Sequence, residues 1–338
     1  MSDGLISQKE LNVLNLARYA RIKSASKGNE FLCRTAMNLA FMFNKLNVDA
    51  TPIFERFSGK SRMFRIMKII QNHKQDLEHL SGKQFRIKSL DEKLEIDDYN
   101  FDLYFQKKDQ IRFSKTNDQV CAEIGGYLFV FPFPHGLYEL IETFLTEYYE
   151  FYDLKDCTVV DIGGFVGETA IYFAGKGASR VIVFEPTPPL YRMVQENIRL
   201  NRLENVVQTR CEAVSDKCGE SNLSYRRDAP STSSTYFSYY DSEHYRVKTA
   251  SFASIAQELG HIDLLKMDCE GQEHTIIPRA QKVGALRNID RVIVETHFEP
   301  EHIERFLQKA NFRIEKKRII GEELYLIYAK KTELSNRR

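Results

Sequence analysis

The second half of the chain alternates short apolar runs with helical patterns, and this alternation restricts the fold more than any other feature. Buried strands separated by helices are typical of a parallel sheet that helices cover on both faces. Two further strands follow, starting with "FRIEKK" and "ELYLIYA". The sequence therefore predicts an α/β fold with a mostly parallel sheet of seven strands. The first five are predicted at 158–163, 180–186, 205–214, 262–268 and 290–297.

The first 135 residues follow a different pattern. Residues 1 to about 80 show helical spacing, whereas "FDLYF" (101–105) and "YLFVFPF" (127–133) alternate with a period of two and are predicted strands. Gly125 and Gly126 are predicted to form a tight turn. We expect residues 1–135 to form a helical and antiparallel β region that shapes access of a substrate or an oligomer contact. Residues 136–332 are the expected catalytic domain.

Composition excludes several classes of protein. The 48 basic and 47 acidic residues give a net charge of +1, which does not attract a charged partner over long distances. The six cysteines form no CxxC pair, so we expect neither a disulfide framework nor a zinc site. No run approaches the length of a membrane span. These observations predict a cytoplasmic protein without a membrane-spanning segment.

One segment departs from the even balance of charge. Residues 56–88 contain nine Lys or Arg and two acids. Such a segment is either a solvated helix face or a partner surface for phosphates, nucleic acid or anionic lipid.

An acidic residue stands at or near the end of every one of the five predicted parallel strands. In sheets of this kind, ligands bind beyond the carboxyl ends of the strands. Residues at these five ends therefore form the candidate site. They are Asp161, then Glu185 with Pro186, then Glu212 with Ala213, then Asp268 with Glu270, and finally Glu295 with His297.

The turn after the first strand predicts the class of ligand. Gly163, Gly164 and Gly167 let a ligand approach the backbone and the start of the next helix. Phe165 stands where a dinucleotide fingerprint has glycine, and an acidic edge disfavours a pyrophosphate, so a nicotinamide cofactor fits poorly. Glu185 can accept hydrogen bonds from a ribose diol. S-adenosylmethionine, which has a ribose and positive charge but no phosphate, fits better.

Several motifs occur together with the order and spacing of one family. "VVDIGGFVGETAIYFA", "VIVFEPTPPLYRMVQENIRLN", "VKTASFASI", "IDLLKMDCEGQE" and "RVIVETH" resemble FkbM-family methyltransferases over residues 136 to 330. The D-x-E-G-x-E element at 268–273 is the most specific of them. The resemblance implies a class I, Rossmann-like methyltransferase fold with S-adenosylmethionine as donor. It also implies O-methylation of a hydroxyl on a sugar or another small metabolite.

The resemblance assigns roles to individual positions. It implies that Asp161, Gly163, Gly167 and Glu185 hold the donor and that Asp268 lies at the reaction centre. A neutral hydroxyl needs a base as it attacks, and the candidates are carboxylates and a histidine near the ends of the fourth and fifth strands. Glu273, in the first turn of a helix, is predicted to be structural. The candidate bases are Asp268, Glu270, Glu273, Glu295 and His297.

The same groups could instead hold a divalent cation. Asp268 and Glu270, with Glu295 or His297, would give the oxygen-rich ligands that Mg²⁺ prefers. None of the spacings is diagnostic of a metal, so the sequence predicts no resident metal ion.

Two other functions remain as alternatives to a small-molecule methyltransferase. "ENIRLN" (196–201) also occurs in some RNA methyltransferases, and the basic segment 56–88 could grip RNA. The near-neutral charge and the absence of an Asn-Pro-Pro-Tyr type element oppose that function. A non-catalytic adaptor that retains the fold is the second alternative, and the intact acidic edge opposes it.

Overall fold

The computed structural model describes residues 69–332 apart from short gaps at 70–71, 74, 82–83, 96–98, 117–118, 147, 150–152, 239 and 322. It divides the chain into two compact units, 1–110 and 111–338. The predicted helices before residue 69 and most of the basic segment 56–88 lie outside the described residues. None of the described helices is long and apolar enough to cross a membrane.

The described part of the first unit is a small antiparallel sheet followed by a helix. The sheet has the order β1-β2-β3, with β1 at Leu77–Ser81, β2 at Gln84–Ile87 and β3 at Glu92–Glu95. The predicted strand at "FDLYF" is wrong, because these residues lie in helix α1, Tyr99–Lys107. Leu103, Tyr104 and Phe105 are all buried. Three consecutive buried residues cannot share one face of a strand, whereas a helix packed on two sides accommodates them.

The second unit begins with a three-stranded antiparallel sheet. Its strands are β4 (Arg112–Thr116), β5 (Gln119–Ile124) and β6 (Tyr127–Val130). The predicted turn at Gly125 and Gly126 is confirmed, because both residues have positive φ (59° and 85°), as a two-residue hairpin loop requires.

A seven-stranded sheet forms the centre of the second unit. Its order is β15-β16-β14-β13-β7-β8-β9, and β16 runs in the direction opposite to that of the other six strands. The predicted mostly parallel α/β sheet is therefore confirmed. The strands are β7 (Thr158–Ile162), β8 (Arg180–Phe184), β9 (Val207–Arg210), β13 (Ile262–Met267), β14 (Ile289–Thr296), β15 (Phe312–Gly321) and β16 (Leu324–Lys331).

Helices cover this sheet and bury its apolar faces. Val160, Ile182 and Leu265, from three adjacent strands, are fully buried in one core cluster. Each buried side chain of this size stabilises the fold by about 1.5–3 kcal/mol relative to exposure. The helices of the unit are α2 (Leu137–Leu145), α3 (Glu168–Gly175), α4 (Pro188–Leu200), α5 (Phe252–Leu259), α6 (Glu273–Val283) and α7 (Pro300–Lys309).

The predicted third strand, 205–214, is two strands in two different sheets. After β9 the chain leaves the central sheet at Cys211, and β10 (Ala213–Ser215) pairs with β12 (Glu243–Ser251). β12 also pairs with β11 (Gly219–Tyr225), a strand that the sequence pattern did not predict. A continuous β-rich sequence does not reveal where a chain moves from one sheet to another, because both halves satisfy the same pattern.

Two asparagines bind the antiparallel sheet to helix α4. The side chain of Asn197 accepts from the N–H of Val130 at 2.7 Å and donates to its carbonyl at 2.9 Å. Asn201 pairs in the same way with the backbone of Leu128, at 2.9 and 2.7 Å. The compact unit therefore starts at Ile111, before the predicted domain boundary between 135 and 136. A functional division at that boundary stays a prediction.

Replacing Asn197 by Ala should destabilise the protein strongly. Asn197 is fully buried and also donates to the carbonyl of Val166 at 2.8 Å, so its loss leaves three buried backbone groups without partners. Each unsatisfied group costs about 1–3 kcal/mol. We expect urea unfolding to give a loss of roughly 3 kcal/mol or more. Asn201→Ala, at a less buried position, is the control with a smaller loss; equal losses would contradict the assignment.

Candidate functional site

A cavity opens at the carboxyl ends of the central strands, and the empty space in it and at its solvent-filled mouth is about 680 Å³. The loops after β7, β8 and β13 contribute to its wall, as does the segment from Glu212 to Val214. Six of the lining residues are acids, and none of the described lining residues is Lys, Arg or His. The acids are Glu139, Glu168, Glu185, Glu212, Asp268 and Glu270.

The glycine turn lets two loops touch at the bottom of this cavity. Gly163 has a φ of 82°, and a Cβ there would overlap the carbonyl oxygen of Asp268. The N–H of Asp268 donates to the carbonyl of Ile162 at 3.0 Å. The loop after β7 and the loop after β13 therefore approach each other backbone to backbone, which only glycine at 163 permits.

Asp161 lies beneath the glycine turn and does not line the cavity. Its carboxylate is 3.2 Å from the Nζ atom of Lys266 and accepts a 2.6 Å hydrogen bond from Thr169. Lys266 also donates to the carbonyl of Gly163 at 2.7 Å. Burial raises the pKa of Asp161, and the charge of Lys266 opposes that shift. These contacts order the turn, and the role of Asp161 in holding the ligand stays a prediction.

Glu185 lines the cavity at the end of β8, beside Pro186. Its two carboxylate oxygens accept from the backbone N–H groups of Phe165 (2.9 Å) and Thr187 (2.8 Å). Burial raises its pKa to about 7. Phe165 reaches Glu185 with a left-handed φ of 46°, a conformation uncommon outside glycine. The carboxylate is therefore held in one orientation toward the cavity.

Two acids that the sequence analysis did not single out also line the cavity. Glu168 is the first residue of α3, and burial raises its pKa to about 8. Glu139 belongs to α2, and burial raises its pKa to about 7. The glycine turn before Glu168 could have drawn attention to it. Nothing in the local sequence marks Glu139, because α2 reaches the cavity only through tertiary packing.

The remainder of the wall contains apolar and hydroxyl-bearing side chains. The apolar ones include Phe184, Leu190, Ala213, Val214 and Leu223.

Ser231, Ser233 and Thr235 line the cavity from the loop between β11 and β12. Ser234, between them, is buried and donates to the carbonyl of Glu270 at 2.7 Å. This hydrogen bond fixes the hydroxyl-bearing loop against the loop that carries Glu270.

The acids after β13 meet His297 after β14. Nε2 of His297 is 3.1 Å from Glu270, and Nδ1 is 3.2 Å from Glu273. Burial disfavours charge on the ring, but the two carboxylates outweigh it and raise the pKa of His297 to about 12. Glu273 is completely buried and also accepts from the N–H of Gly271 at 2.9 Å. It therefore orders this loop, in keeping with the structural role predicted for it.

Glu295 lies apart from the cavity wall. It accepts a 2.9 Å hydrogen bond from Tyr148. Burial, followed by the charge of Asp268, raises its pKa well above the usual range. Of the four predicted catalytic residues, Asp268 and Glu270 line the cavity, whereas Glu295 and His297 are not among its lining residues.

The strand order and the position of the cavity define a Rossmann-like methyltransferase fold, as predicted. Residues 161–314 match the model of the methyltransferase FkbM domain. The match over this part of the chain confirms the resemblance to FkbM-family methyltransferases found in its motifs. No curated protein matches the chain significantly.

Solved methyltransferase structures are similar to this fold at low sequence identity. Sp1610 of Streptococcus pneumoniae with S-adenosyl-L-methionine, a candidate tRNA methyltransferase, is 15% identical, with 54% of this chain and 71% of that chain covered and a TM-score of 0.37. The ribosomal protein L11 methylase of Lactobacillus delbrueckii subsp. bulgaricus is 17% identical, with 54% of this chain and 74% of that chain covered and a TM-score of 0.35. The tRNA methyltransferase TrmK of B. subtilis is 13% identical, with 54% of this chain and 63% of that chain covered and a TM-score of 0.36. Similarity at this level says nothing about the acceptor.

The raised pKa of Glu168 predicts how stability depends on pH. Its ordinary value is 4.5 and its folded value is about 8, so the folded state binds the proton more tightly than the unfolded state. The stability that this proton contributes is present at low pH and is lost as the pH rises through about 8. The free energy of unfolding of the wild type relative to Glu168→Gln should therefore fall between pH 5 and pH 8.5.

Thermal unfolding at several pH values measures this difference. Glu196→Gln is the control, because Glu196 pairs with Arg199 on the surface and its pKa is lowered. That control should show no decline over the same range. A flat difference for Glu168→Gln would show that Glu168 is charged in the folded protein at neutral pH.

Proposed function

We propose that the chain uses S-adenosylmethionine to methylate a hydroxyl on a sugar or another small metabolite. The observation that supports this most is the cavity at the strand ends, which combines Glu185, an apolar wall and an acidic lining without basic side chains. Such a lining favours a ligand with positive charge and disfavours phosphates. S-adenosylmethionine has the first property and lacks phosphate.

The residues of the cavity fit the parts of this donor. Each oxygen of Glu185 accepts one backbone hydrogen bond and has a second lone pair for a ribose hydroxyl. Phe184, Leu190 and Val214 offer an apolar surface for the adenine, beside Glu212 and Ala213. Glu168 lines the same cavity next to the glycine turn and suits an amino group. When bound, the donor supplies an electrophilic methyl group.

The chain's own part in the reaction is to align the acceptor and take its proton. Asp268 lines the cavity, and the backbone contact with Gly163 fixes its position. We assign it as the base that accepts the hydroxyl proton as the oxygen attacks. His297 is a poorer base, because both ring nitrogens already face carboxylates. Glu295 faces Tyr148 instead of the cavity.

A small acceptor fits this cavity better than RNA does. Ser231, Ser233 and Thr235 offer hydroxyl groups that can bond to a polyhydroxylated compound. None of the described lining residues is a Lys, Arg or His that could pair with a phosphate, which disfavours RNA. The two asparagines of "ENIRLN" form hydrogen bonds with the backbone of β6, so their presence in the sequence is explained by packing without any contact to RNA. The first 135 residues are proposed to shape access to the acceptor or to form an oligomer contact.

Glu185→Ala should weaken binding of the donor. Calorimetric titration with S-adenosylmethionine and S-adenosylhomocysteine should give micromolar binding to the wild type. A hydrogen bond to a charged group contributes about 1.5–3 kcal/mol, so its loss should reduce the affinity for the donor by at least about 10-fold. Glu196→Ala, on the surface of α4, is the control and should bind normally. Binding of NAD, with no adenosyl binding, would contradict the proposed donor.

Asp268→Asn should remove most of the methyl transfer and leave donor binding nearly intact. Loss of a general base lowers the rate by about 100-fold to 10,000-fold. The rate is measured by incubating the protein with donor that carries a tritiated methyl group and a cell extract, and then separating the extract into small molecules, RNA and protein. Label is expected in the small-molecule fraction. Label in RNA would contradict the acceptor class, and unchanged transfer by the variant would contradict the role of Asp268.

A further inference from the structure

Three side chains converge on one point at the carboxyl ends of two adjacent strands, where two of the three line the cavity. Ligand atoms of Asp268, Glu270 and His297 all lie within 4.8 Å of one another. Nε2 of His297 is 3.1 Å from Oε2 of Glu270, a separation typical of two ligands on the same ion. The three residues come from the ends of β13 and β14, which pair in parallel, so the strand register holds them together.

The histidine ring is oriented from behind by a residue that is not one of the three. Glu273 accepts from both the backbone N–H and Nδ1 of His297, each at 3.2 Å. Glu273 is itself completely buried. A carboxylate on one ring nitrogen leaves the other nitrogen as a ligand, and histidines that bind metals are held in this way. Glu273 thus directs Nε2 of His297 toward Glu270 and Asp268.

The cluster also has an open side and a further oxygen nearby. Asp268 and Glu270 line the cavity, which gives an ion and an acceptor a common path. Glu139 lines the same cavity, and its Oε2 atom is buried without a hydrogen-bond partner among the described residues. The charges of Asp268 and Glu270 both act on Glu139, so it belongs to the same electrostatic environment.

We infer that Asp268, Glu270 and His297 form a binding site for a divalent transition-metal ion. One imidazole nitrogen with two carboxylates suits Mn²⁺ through Zn²⁺ better than Mg²⁺, which prefers oxygen alone. The ion takes the place of the proton that otherwise joins His297 to Glu270. Its role in the reaction rests on the proposed methyl transfer: facing the cavity, it would polarise the acceptor oxygen as a Lewis acid and so ease loss of the hydroxyl proton to the carboxylate oxygen of Asp268 that does not hold the ion. Binding of the ion itself does not depend on that proposal.

The chain contains a second cluster that serves as a matched control. On the surface, Nε2 of His261 lies 3.4 Å from Asp263 and 3.3 Å from Asp290. The His261 side chain is 48% exposed, and no buried carboxylate orients its ring among the described contacts. If a metal binds to any histidine with two nearby acids, this surface cluster should bind it as well.

Calorimetric titration of Mn²⁺ and of Zn²⁺ into the tag-free, EDTA-treated full chain tests the site without donor or acceptor. We expect one ion per chain, with at least 100-fold weaker binding in His297→Ala and Glu270→Gln. Glu273→Gln should weaken binding by about 10–100-fold, as loss of an orienting carboxylate does. His261→Ala should bind as the wild type does. Circular dichroism checks that each variant is folded. If His297→Ala does not fold, the metal affinity of Glu270→Gln is the test of the site.

Three results would overturn the site. These are no binding by the wild type, binding that both His297→Ala and Glu270→Gln leave unchanged, and binding that His261→Ala abolishes. Metal binding without binding of S-adenosylmethionine would instead overturn the proposed donor and leave the metal site standing, so the two failures are distinguishable.

Discussion

The candidate site depends on one buried ion pair. Lys266 and Asp161 face each other at 3.2 Å with almost no exposure to solvent, and Lys266 also holds the carbonyl of Gly163. A buried pair of this kind adds little net stability, because desolvation offsets much of the attraction. Its contribution is to fix geometry: it ties β7 and β13 to the glycine turn, and Thr169 extends the same network into α3. The cavity residues on these elements take their positions from it.

The sequence predicted the sheet because buried parallel strands have a strong apolar pattern, and it predicted the edge where the cavity lies because an acid stands at or near the end of each strand. It could not predict which acids face the cavity. Asp161 lies inside β7, in register with Val183 and thus two residues short of Glu185, and it meets a lysine from the neighbouring strand, whereas Glu185 lines the cavity. Strand register and Lys266, which is 105 positions along the chain from Asp161, set that difference, and neither is visible in a local sequence pattern. Glu139 was missed for the same reason, since only the packing of α2 brings it to the cavity.

The contact between the antiparallel sheet and helix α4 depends on two asparagines spaced four residues apart on the helix. Residues four apart on a helix are separated by about 6 Å along its axis, and residues two apart on a strand by about 6.8 Å. Asn197 and Asn201 therefore match Val130 and Leu128 in spacing. Each amide side chain copies the donor and acceptor of a neighbouring strand, so the helix covers a strand edge that would otherwise be open.

The acidic lining has a consequence for what leaves the cavity. Carboxyl groups in a partly buried setting attract a cation more strongly than a neutral molecule of the same shape. A sulfonium that gives up its methyl group becomes a neutral thioether, so the attraction of Asp268 and its neighbours for the ligand falls during the proposed reaction. The walls would then hold the spent ligand less tightly than the fresh one. Loss of the positive charge during the proposed reaction would therefore favour release of the product and binding of a new donor molecule.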